Sequence, residues 1–220
     1  MAAVPAMADR FAALRHSLPP SCRLLAVSKG QPAEVIREAV ALGQQSFGES
    51  RLQEAQAKQL ALGDLPPLDW HFIGRLQANK VRGVLRHFGT IHSLDSLPLA
   101  ERLQRIAQEE GVSPVVFAQV KILPDPGKTG FDPATLRLLC PDLAAMDPLR
   151  LQGLMTMAPQ GLKPPERLAL FQQCAALARE LGLPELSMGM SGDWQEAVKA
   201  GSTWVRVGSG LFGERPPAGG

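Results

Sequence analysis

Short runs of apolar and β-branched residues alternate with longer amphipathic segments along almost the whole chain. The runs are LLAVSK (24–29), QSFGES (45–50), WHFIG (70–74), TIHSLD (90–95), VVFAQVKI (115–122), LQGLMTM (151–157), LSMGMS (186–191) and WVRVGS (204–209). Their length and composition are typical of buried strands. The segments between them have helical spacing, as in PAEVIREAVALG (32–43), where Pro32 is placed to begin a helix and Gly43 to end it.

This alternation predicts an α/β protein with a parallel sheet. Eight strand-then-helix repeats within 220 residues favour a single (β/α)₈ TIM barrel that occupies 1–220. An open doubly wound sheet is the alternative, but it more often has five or six strands. Before the first strand, Phe11, Leu14 and Leu18 recur on one helical face and Pro19 follows, so we predict an extra N-terminal helix.

Composition narrows the function classes. The net charge is only +2 and the basic residues are scattered, so we expect no nucleic-acid partner. No apolar run approaches the roughly 18 residues that a membrane-spanning helix needs. Three cysteines without C-x-x-C spacing argue against a disulfide framework and fit a reducing compartment. We therefore expect a cytoplasmic protein without a membrane partner. We also expect it to be a monomer.

Two glycine-bearing loops follow the last two predicted strands. They are MSGD (190–193) and GSGLFG (208–213), and the second matches G-x-G-x-x-G. The seven residues after Gly213 are too few for the remainder of a dinucleotide fold. TIM barrels commonly bind phosphate in the loops after strands seven and eight, where glycines let backbone N–H groups approach an anion. The helix that should follow Gly192 would add free N–H groups. Ordinary tight turns are the alternative interpretation.

Two basic residues could complete a site at the same end of the barrel. Lys29 ends the first predicted strand, and Arg206 lies two residues before Gly208, on the same face of its strand. A desolvated amine beside a phosphate site suits pyridoxal 5′-phosphate, which carries both a phosphate and an aldehyde. A solvated Lys29 and an Arg206 paired with an acidic neighbour are the simpler alternatives.

The motifs together resemble the YggS/PROSC family of pyridoxal phosphate-binding homeostasis proteins. Those that carry the resemblance are LLAVSKG, FGESRLQEAQAK, WHFIGRLQANK, IHSLDS, GLMTMAP, LSMGMSGDWQEAVKAG and WVRVGSGLFG, spread from residue 24 to 213. The resemblance implies the barrel fold of the N-terminal domain of alanine racemase. It also implies a phosphate that belongs to a single pyridoxal, not to a dinucleotide.

The resemblance also implies roles for individual residues. Lys29 corresponds to the lysine that forms the Schiff base, and Arg206 corresponds to the arginine that faces the pyridine nitrogen. The phosphate-binding positions of the family correspond to Ser191, Gly208 and Ser209, and Gly192 corresponds to an additional backbone donor. Asn79 and Met155 correspond to positions that line the mouth of the barrel. Two positions depart from the family pattern. Ser50 replaces an asparagine, and Lys121 stands where asparagine is frequent and would add a positive charge towards the phosphate.

The expected function is to carry and buffer pyridoxal phosphate without turnover, with PLP-dependent apo-enzymes as recipients. An arginine donates to the pyridine nitrogen and keeps it unprotonated, which makes the ring a poorer electron sink. Alanine racemase adds a tyrosine as a second acid–base group, and this chain contains no tyrosine. His71 and His92 are expected near strand starts, away from the site. A small pyridoxal enzyme and a barrel enzyme for a phosphorylated metabolite are the alternatives.

Overall fold

The computed structural model describes residues 6–125 and 127–213, and in it eight parallel strands form a closed barrel. The strands are β1 Arg23–Val27, β2 Ser46–Glu49, β3 Asp69–Phe72, β4 Thr90–Leu94, β5 Val115–Gln119, β6 Arg150–Met155, β7 Glu185–Ser187 and β8 Trp204–Val207. Each strand pairs with the next along the chain, and β8 pairs with β1 to close the barrel. The predicted fold class is confirmed, and the residues of the predicted 1–220 domain at 1–5, 126 and 214–220 lie outside the described part.

Helices connect the strands as the sequence pattern predicts. They are α1 Met7–Ser17, α2 Ala33–Ala41, α3 Leu52–Ala61, α4 Val81–His87, α5 Leu97–Glu110, α6 Pro133–Ala144, α7 Pro164–Glu180, α8 Trp194–Lys199 and α9 Ser209–Phe212, with a one-turn 3₁₀ helix at Ala78–Lys80. Pro32 immediately precedes α2, and Gly43 follows it with a φ of 84°. That left-handed conformation suits glycine and ends the helix as predicted.

The strands are shorter than predicted at their carboxyl ends. β1 ends at Val27, and the chain then turns, with the Gln31 N–H donating to Ser28 O at 2.9 Å and Gly30 at a φ of 74°. β8 ends at Val207. Lys29 and Ser209 therefore lie in the loops beyond their strands, where a barrel presents its functional residues.

The interior of the barrel contains both apolar and polar buried side chains. Leu25, Phe117, Met155 and Trp204 form an apolar cluster inside the barrel. Four polar residues lie buried beside this cluster: His71, His92, Ser187 and Arg206. The His92 ring stacks on the Phe117 ring with centroids 4.5 Å apart, and the His71 ring contacts the Trp204 ring at 4.9 Å. The interior is therefore filled with side chains, as in other TIM barrels, but these include a buried set of polar groups.

The extra N-terminal helix is confirmed and packs beside the end of the barrel sheet. Phe11 and Leu14 are buried, and the Phe11 ring meets the Phe212 ring edge-on with centroids 5.8 Å apart. The Arg10 Nε–H donates to Leu211 O at 2.5 Å. Helix α1 thus supports α9, the short helix that follows Gly208.

Among residues 6–125 and 127–213, no helix has the length and apolar character needed to cross a bilayer. In this same part of the chain, no three His, Cys, Asp or Glu residues are grouped as a metal site would require.

Cys22, Cys140 and Cys174 are buried free thiols, so the prediction that they form no disulfide framework is confirmed. Burial raises the pKa of Cys22 to about 11 and that of Cys174 to about 12, so both thiols are protonated at neutral pH.

Glu110, the last residue of α5, is expected to make stability depend on acid pH. Its carboxylate pairs with Arg86 and Arg82 of α4, and hydrogen bonds from these two guanidinium groups lower its pKa to about 2. Because the pKa is lowered on folding, the stabilisation is complete above the ordinary value of about 4.5 and is lost as the pH falls towards 2. The difference in urea midpoint between the wild type and Glu110→Gln should therefore shrink between pH 5 and pH 2. A difference that is constant over this range would contradict the assignment.

Candidate functional site

A cavity opens at the carboxyl end of the barrel. Its volume is about 300 Å³, at the small end of the range for ligand pockets. It is lined by Val27, Lys29, Ile73, Met155, Met157, Met190, Ser191, Gly192, Arg206, Gly208 and Ser209. The structure thus brings together seven of the eight site residues named from the sequence.

The turn that carries Lys29 is held on both sides by acidic side chains. Ser28 Oγ donates to Glu49 Oε1 at 2.7 Å, and the Gly30 N–H donates to Glu54 Oε1 at 2.5 Å. Glu49 ends β2, and Glu54 lies in the first turn of α3. The residues before and after Lys29 are therefore fixed to elements of the scaffold.

Lys58 of α3 joins these contacts into one network. Its Nζ donates to Glu49 Oε1 at 2.7 Å, to Glu54 Oε1 at 2.6 Å and to Ser28 O at 2.8 Å. Glu54 and Lys58 are four residues apart, so they share a face of α3. We call Ser28, Gly30, Glu49, Glu54 and Lys58 the lysine-turn network. It was not found in the sequence, although the E-x-x-x-K spacing of Glu54 and Lys58 was a visible signal.

Lys58 and Glu49 are the deeply buried charged residues of this network, whereas the side chain of Glu54 is 25% exposed. The side chain of Lys58 is 7% exposed and that of Glu49 is fully buried. Burial raises the pKa of Glu49, and the contacts with Lys58 and Ser28 oppose that rise only in part. Burial acts in the same direction on Glu54, but hydrogen bonds from Lys58 and Gly30 leave its pKa lowered overall. Lys58 thus contacts two acidic side chains, Glu49 and Glu54, next to the turn that carries Lys29.

The opposite end of the cavity collects hydrogen-bond donors. Ser191 Oγ accepts from the Gly208 N–H at 3.3 Å and from the Gly210 N–H at 3.2 Å. A Cβ at position 208 would lie 3.1 Å from Val27 O, and one at position 210 would lie 3.0 Å from a methyl group of Val207. Glycine therefore allows the two loops to approach each other closely. Backbone N–H groups and the Ser191 and Ser209 hydroxyls are a donor set suited to an anion.

The start of α8 differs from the prediction. The helix begins at Trp194, and the N–H groups of Asp193 and Trp194 both donate to Met190 O, at 3.1 and 3.0 Å. Asp193 Oδ1 in turn accepts from the Met190 N–H at 2.6 Å. These two N–H groups are engaged within the loop, so the candidate donors to an anion lie at Ser191, Gly192 and the loop after β8.

Arg206 lies under the cavity with its guanidinium held by neutral oxygens. Nη1 donates to Ser187 O at 2.5 Å and to Ser187 Oγ at 2.6 Å, and Nη2 donates to Thr156 O at 3.0 Å. Burial lowers the pKa of Arg206 to about 10, and the negative charge of Asp193 opposes that shift. The side chain therefore remains a cation at neutral pH. Within the described residues it has no ion-paired carboxylate, unlike the simpler interpretation of the sequence.

Three residues singled out in the sequence lie elsewhere. Asn79 is exposed, lies on the 3₁₀ helix Ala78–Lys80 and is not among the residues that line the cavity. Ser50 lines a separate cavity of about 240 Å³. Lys121 follows β5 and is likewise absent from the cavity lining, so its expected charge near the phosphate loops is not found there.

The apolar wall of the cavity was largely missed by sequence reasoning. Ile73, Met157 and Met190 line it with the predicted Met155. Each stands at or just beyond a strand end, and that position was the available signal. His71 and His92 do not line the cavity. Both lie buried in the barrel interior and hydrogen-bond to each other at 2.8 Å.

These features define the ligand that the cavity fits. The amine of Lys29, the guanidinium of Arg206 and the donor-rich loops at Ser191 and Gly208 line one cavity together with apolar side chains. Such a set suits a small ligand with an anionic tail, a flat apolar body and a group that reacts with amines. The chain is a closed parallel barrel with a cavity at its carboxyl end whose lining suits a small anionic ligand.

Comparison with known proteins identifies the family. The sequence model of the alanine racemase N-terminal domain matches residues 3–216. The pyridoxal phosphate homeostasis protein of Synechocystis is 45% identical over 205 residues, covering 90% of this chain and 94% of that protein. The Escherichia coli K12 protein of the same name is 40% identical over 206 residues, covering 90% and 87%. The chain belongs to the family of pyridoxal phosphate homeostasis proteins, and the resemblance stated from the motifs is confirmed.

Solved structures agree with this family. PipY of Synechococcus elongatus, solved with PLP bound, has a TM-score of 0.91 and 53% identity, and the match covers 94% of this chain and all of that one. An alanine racemase of Clostridium difficile has a TM-score of 0.76 at 15% identity, covering 96% of this chain and 57% of that one. The second likeness concerns the fold alone.

Proposed function

We propose that this chain binds pyridoxal 5′-phosphate in the cavity at the end of its barrel and holds it in reserve without turning it over. The observation that carries the proposal is that Lys29, Arg206 and the loops of Ser191 and Gly208 line one cavity. The names of the relatives, and the PLP bound to PipY, support the same ligand.

Each end of the cavity has a role in this proposal. When bound, the cofactor supplies an aldehyde, which reacts with a primary amine, and a phosphate that carries negative charge. Lys29 provides the amine for a covalent link, and the lysine-turn network fixes the direction from which its side chain approaches. Ser191, Gly192, Gly208 and Ser209 bind the phosphate. Arg206 donates to the pyridine nitrogen, and Met155 packs against the ring.

The absence of turnover follows from the residues near the ligand. A guanidinium with a pKa of about 10 remains a donor at neutral pH, so a pyridine nitrogen facing it accepts and stays unprotonated. Carbanion chemistry on the ring is then poorly supported. The chain contains no tyrosine to act as the second acid–base group.

Reductive trapping tests the binding mode. Purified protein mixed with pyridoxal phosphate should absorb near the visible edge, and borohydride should fix the label on Lys29, as located by mass spectrometry. A label on another lysine would refute the site.

Incubation of the loaded protein with amino acids in deuterium oxide tests for turnover. The Cα protons should remain unexchanged, whereas exchange that depends on Lys29 would support a small pyridoxal enzyme.

Ser191→Ala is expected to weaken cofactor binding about 10- to 100-fold, because a hydrogen bond to a charged group contributes roughly 1.5–3 kcal/mol. Fluorescence or absorbance titration measures the change. Ser113→Ala is the matched control, since the Ser113 hydroxyl donates to Pro148 O in a loop at the other end of the barrel. Equal effects of the two substitutions would remove Ser191 from the phosphate site.

The partners proposed are apo-enzymes that depend on pyridoxal phosphate, with the chain acting as a cytoplasmic monomer. Light scattering on the purified protein measures its mass, and a dimer would correct the proposal.

Transfer to a recipient is tested by mixing the loaded protein with an apo-enzyme and following the activity of that enzyme. The activity should return faster with untreated loaded protein than with loaded protein that borohydride has reduced. Equal rates would indicate that the cofactor does not come from Lys29.

A further inference from the structure

A continuous chain of hydrogen bonds crosses the barrel interior from its amino end to Arg206. His71 Nε2 lies 2.6 Å from Asp69 Oδ2, His71 Nδ1 lies 2.8 Å from His92 Nε2, and His92 Nδ1 lies 2.8 Å from Ser187 Oγ. Ser187 Oγ lies 2.6 Å from Arg206 Nη1. Asp69, Arg206 and the three residues between them come from four strands, β3, β4, β7 and β8.

Only the two ends of this chain have fixed hydrogen-bonding character. Arg206 can only donate, and an ionised Asp69 can only accept. Burial favours the neutral carboxyl of Asp69, but the contacts with His71 and Ser46 and the charge of Arg23 together outweigh burial and leave the pKa lowered, so the carboxylate is ionised at neutral pH. The side chain of Asp69 is 48% exposed, whereas those of the three residues between the ends are almost fully buried.

These ends fix every proton between them when both histidines are neutral. His71 must donate from Nε2 to Asp69, so its Nδ1 is bare and accepts from His92. His92 then carries its proton on Nε2, and its bare Nδ1 accepts from the Ser187 hydroxyl. Burial, and then the charges of His71 and Arg206, lower the pKa of His92 far below its ordinary value, which favours the neutral ring.

A proton added at His71 would reverse the chain. Both nitrogens of His71 would then donate, His92 would accept at Nε2, and its single proton would move to Nδ1 and point at Ser187 Oγ. That oxygen already accepts from Arg206, and within the described residues the Ser187 hydroxyl has no acceptor other than His92. The other charges near the amino end are Arg23, which acts on Asp69, and Glu185, which pairs with Arg23.

We propose that Ser187, His92 and His71 are positioning residues for Arg206, forming a one-directional hydrogen-bond chain that is anchored at Asp69. Ser187 Oγ, the last acceptor of this hydrogen-bond chain, and Ser187 O accept the two protons of Arg206 Nη1. Thr156 O accepts one proton of Nη2. The Nε–H and the second Nη2–H have no partner among the described residues, and Arg206 lines the cavity. These two donors are thus kept for the ligand. The part of this inference that concerns the cofactor rests on the proposed function, but the proton arrangement does not.

Nitrogen-15 NMR of the histidine rings in the unloaded protein tests the arrangement directly. The chain has four histidines, so His71 and His92 can be assigned by substitution. At neutral pH both rings should carry the proton on Nε2 and have a bare Nδ1. A proton on Nδ1 of His92 would overturn the proposal, whatever the protein binds.

Asp69→Asn tests the direction of the hydrogen bonds, because an amide can both donate and accept, whereas a carboxylate only accepts. The Asp69 side chain is half-exposed, so the substitution does not disturb the core. We expect mixed tautomers at His92 and a dissociation constant for pyridoxal phosphate that is about three- to tenfold higher. Asp64→Asn is the matched control in the loop before β3, where Asp64 pairs with Arg37 on the surface. Unchanged His92 tautomers in Asp69→Asn, or an equal loss of affinity in Asp64→Asn, would overturn the proposal.

His92→Phe supplies an independent test. The phenyl ring keeps a stack on Phe117 but offers no nitrogen, so His71 loses its donor and Ser187 loses its acceptor. The His71 proton should stay on Nε2, because Asp69 still accepts it, and the absorbance of the loaded protein should shift while the label stays on Lys29. An unchanged spectrum would show that His92 serves only in packing.

Discussion

Lys29→Ala is expected to abolish the borohydride-stable label and the absorbance near the visible edge while leaving the barrel folded. The side chain is in a loop beyond β1, and the backbone bonds that fix this turn come from Ser28 and Gly30. Pyridoxal phosphate should still bind through the phosphate loops and Arg206, but more than about tenfold more weakly, a loss of over ~1.4 kcal/mol. Absorbance titration and equilibrium dialysis separate the covalent from the non-covalent part.

Two other lysines on the carboxyl-end loops provide matched controls for Lys29. Lys121 follows β5 outside the cavity, and Lys128 donates to Ala158 O at 3.2 Å. Lys121→Ala and Lys128→Ala should retain the label and the absorbance. If either substitution removes the label and Lys29→Ala does not, the amine has been assigned to the wrong residue.

Lys58→Met is expected to cause the largest loss of stability, about 3–5 kcal/mol, because it leaves Glu49 buried without its cation. Burial already raises the pKa of Glu49, and removing Lys58 raises it further. A carboxyl group with a raised pKa in the folded state costs most when the pH lies above that pKa. The loss measured by urea unfolding should therefore be larger at pH 8 than at pH 5.

A second substitution separates the buried charge from simple packing. Glu49→Gln in the Lys58→Met background removes the charge but keeps an oxygen that can accept from Ser28, so part of the lost stability should return. Lys199→Met, at an exposed position of α8, should change the free energy of unfolding by no more than about 0.5 kcal/mol. A loss below about 1 kcal/mol in Lys58→Met would show that the lysine-turn network does not stabilise the fold.

The lysine-turn network also links stability to binding. Ser28 and Gly30 flank Lys29, and they hydrogen-bond to Glu49 and Glu54 of the network, respectively. Loss of Lys58 should therefore loosen the turn as well as the fold. Any binding defect of Lys58→Met has to be compared with Lys29→Ala at a urea concentration where both proteins remain folded.

Much of the candidate site could be predicted because barrel topology converts order along the chain into position in space. Apolar runs mark the strands, and the residues just after those runs must gather at one end of a parallel barrel. Lys29, Ser191, Arg206 and Gly208 were singled out in this way, and the family resemblance added Met155 and Asn79. Asn79 is not among the residues that line the cavity, and its role stays a prediction.

By itself, the sequence determined the eight strands, the helices between them and the end of the barrel at which chemistry-bearing residues collect, because hydrophobic periodicity is a local property. Only the tertiary structure decided which buried polar groups meet. His92 and Ser187 are 95 residues apart, and Ser28 and Lys58 are 30 apart. Such contacts arise when the barrel closes and each buried donor has to find an acceptor. The residues that carry the site can therefore be read from the chain, whereas the networks that orient them follow from closure.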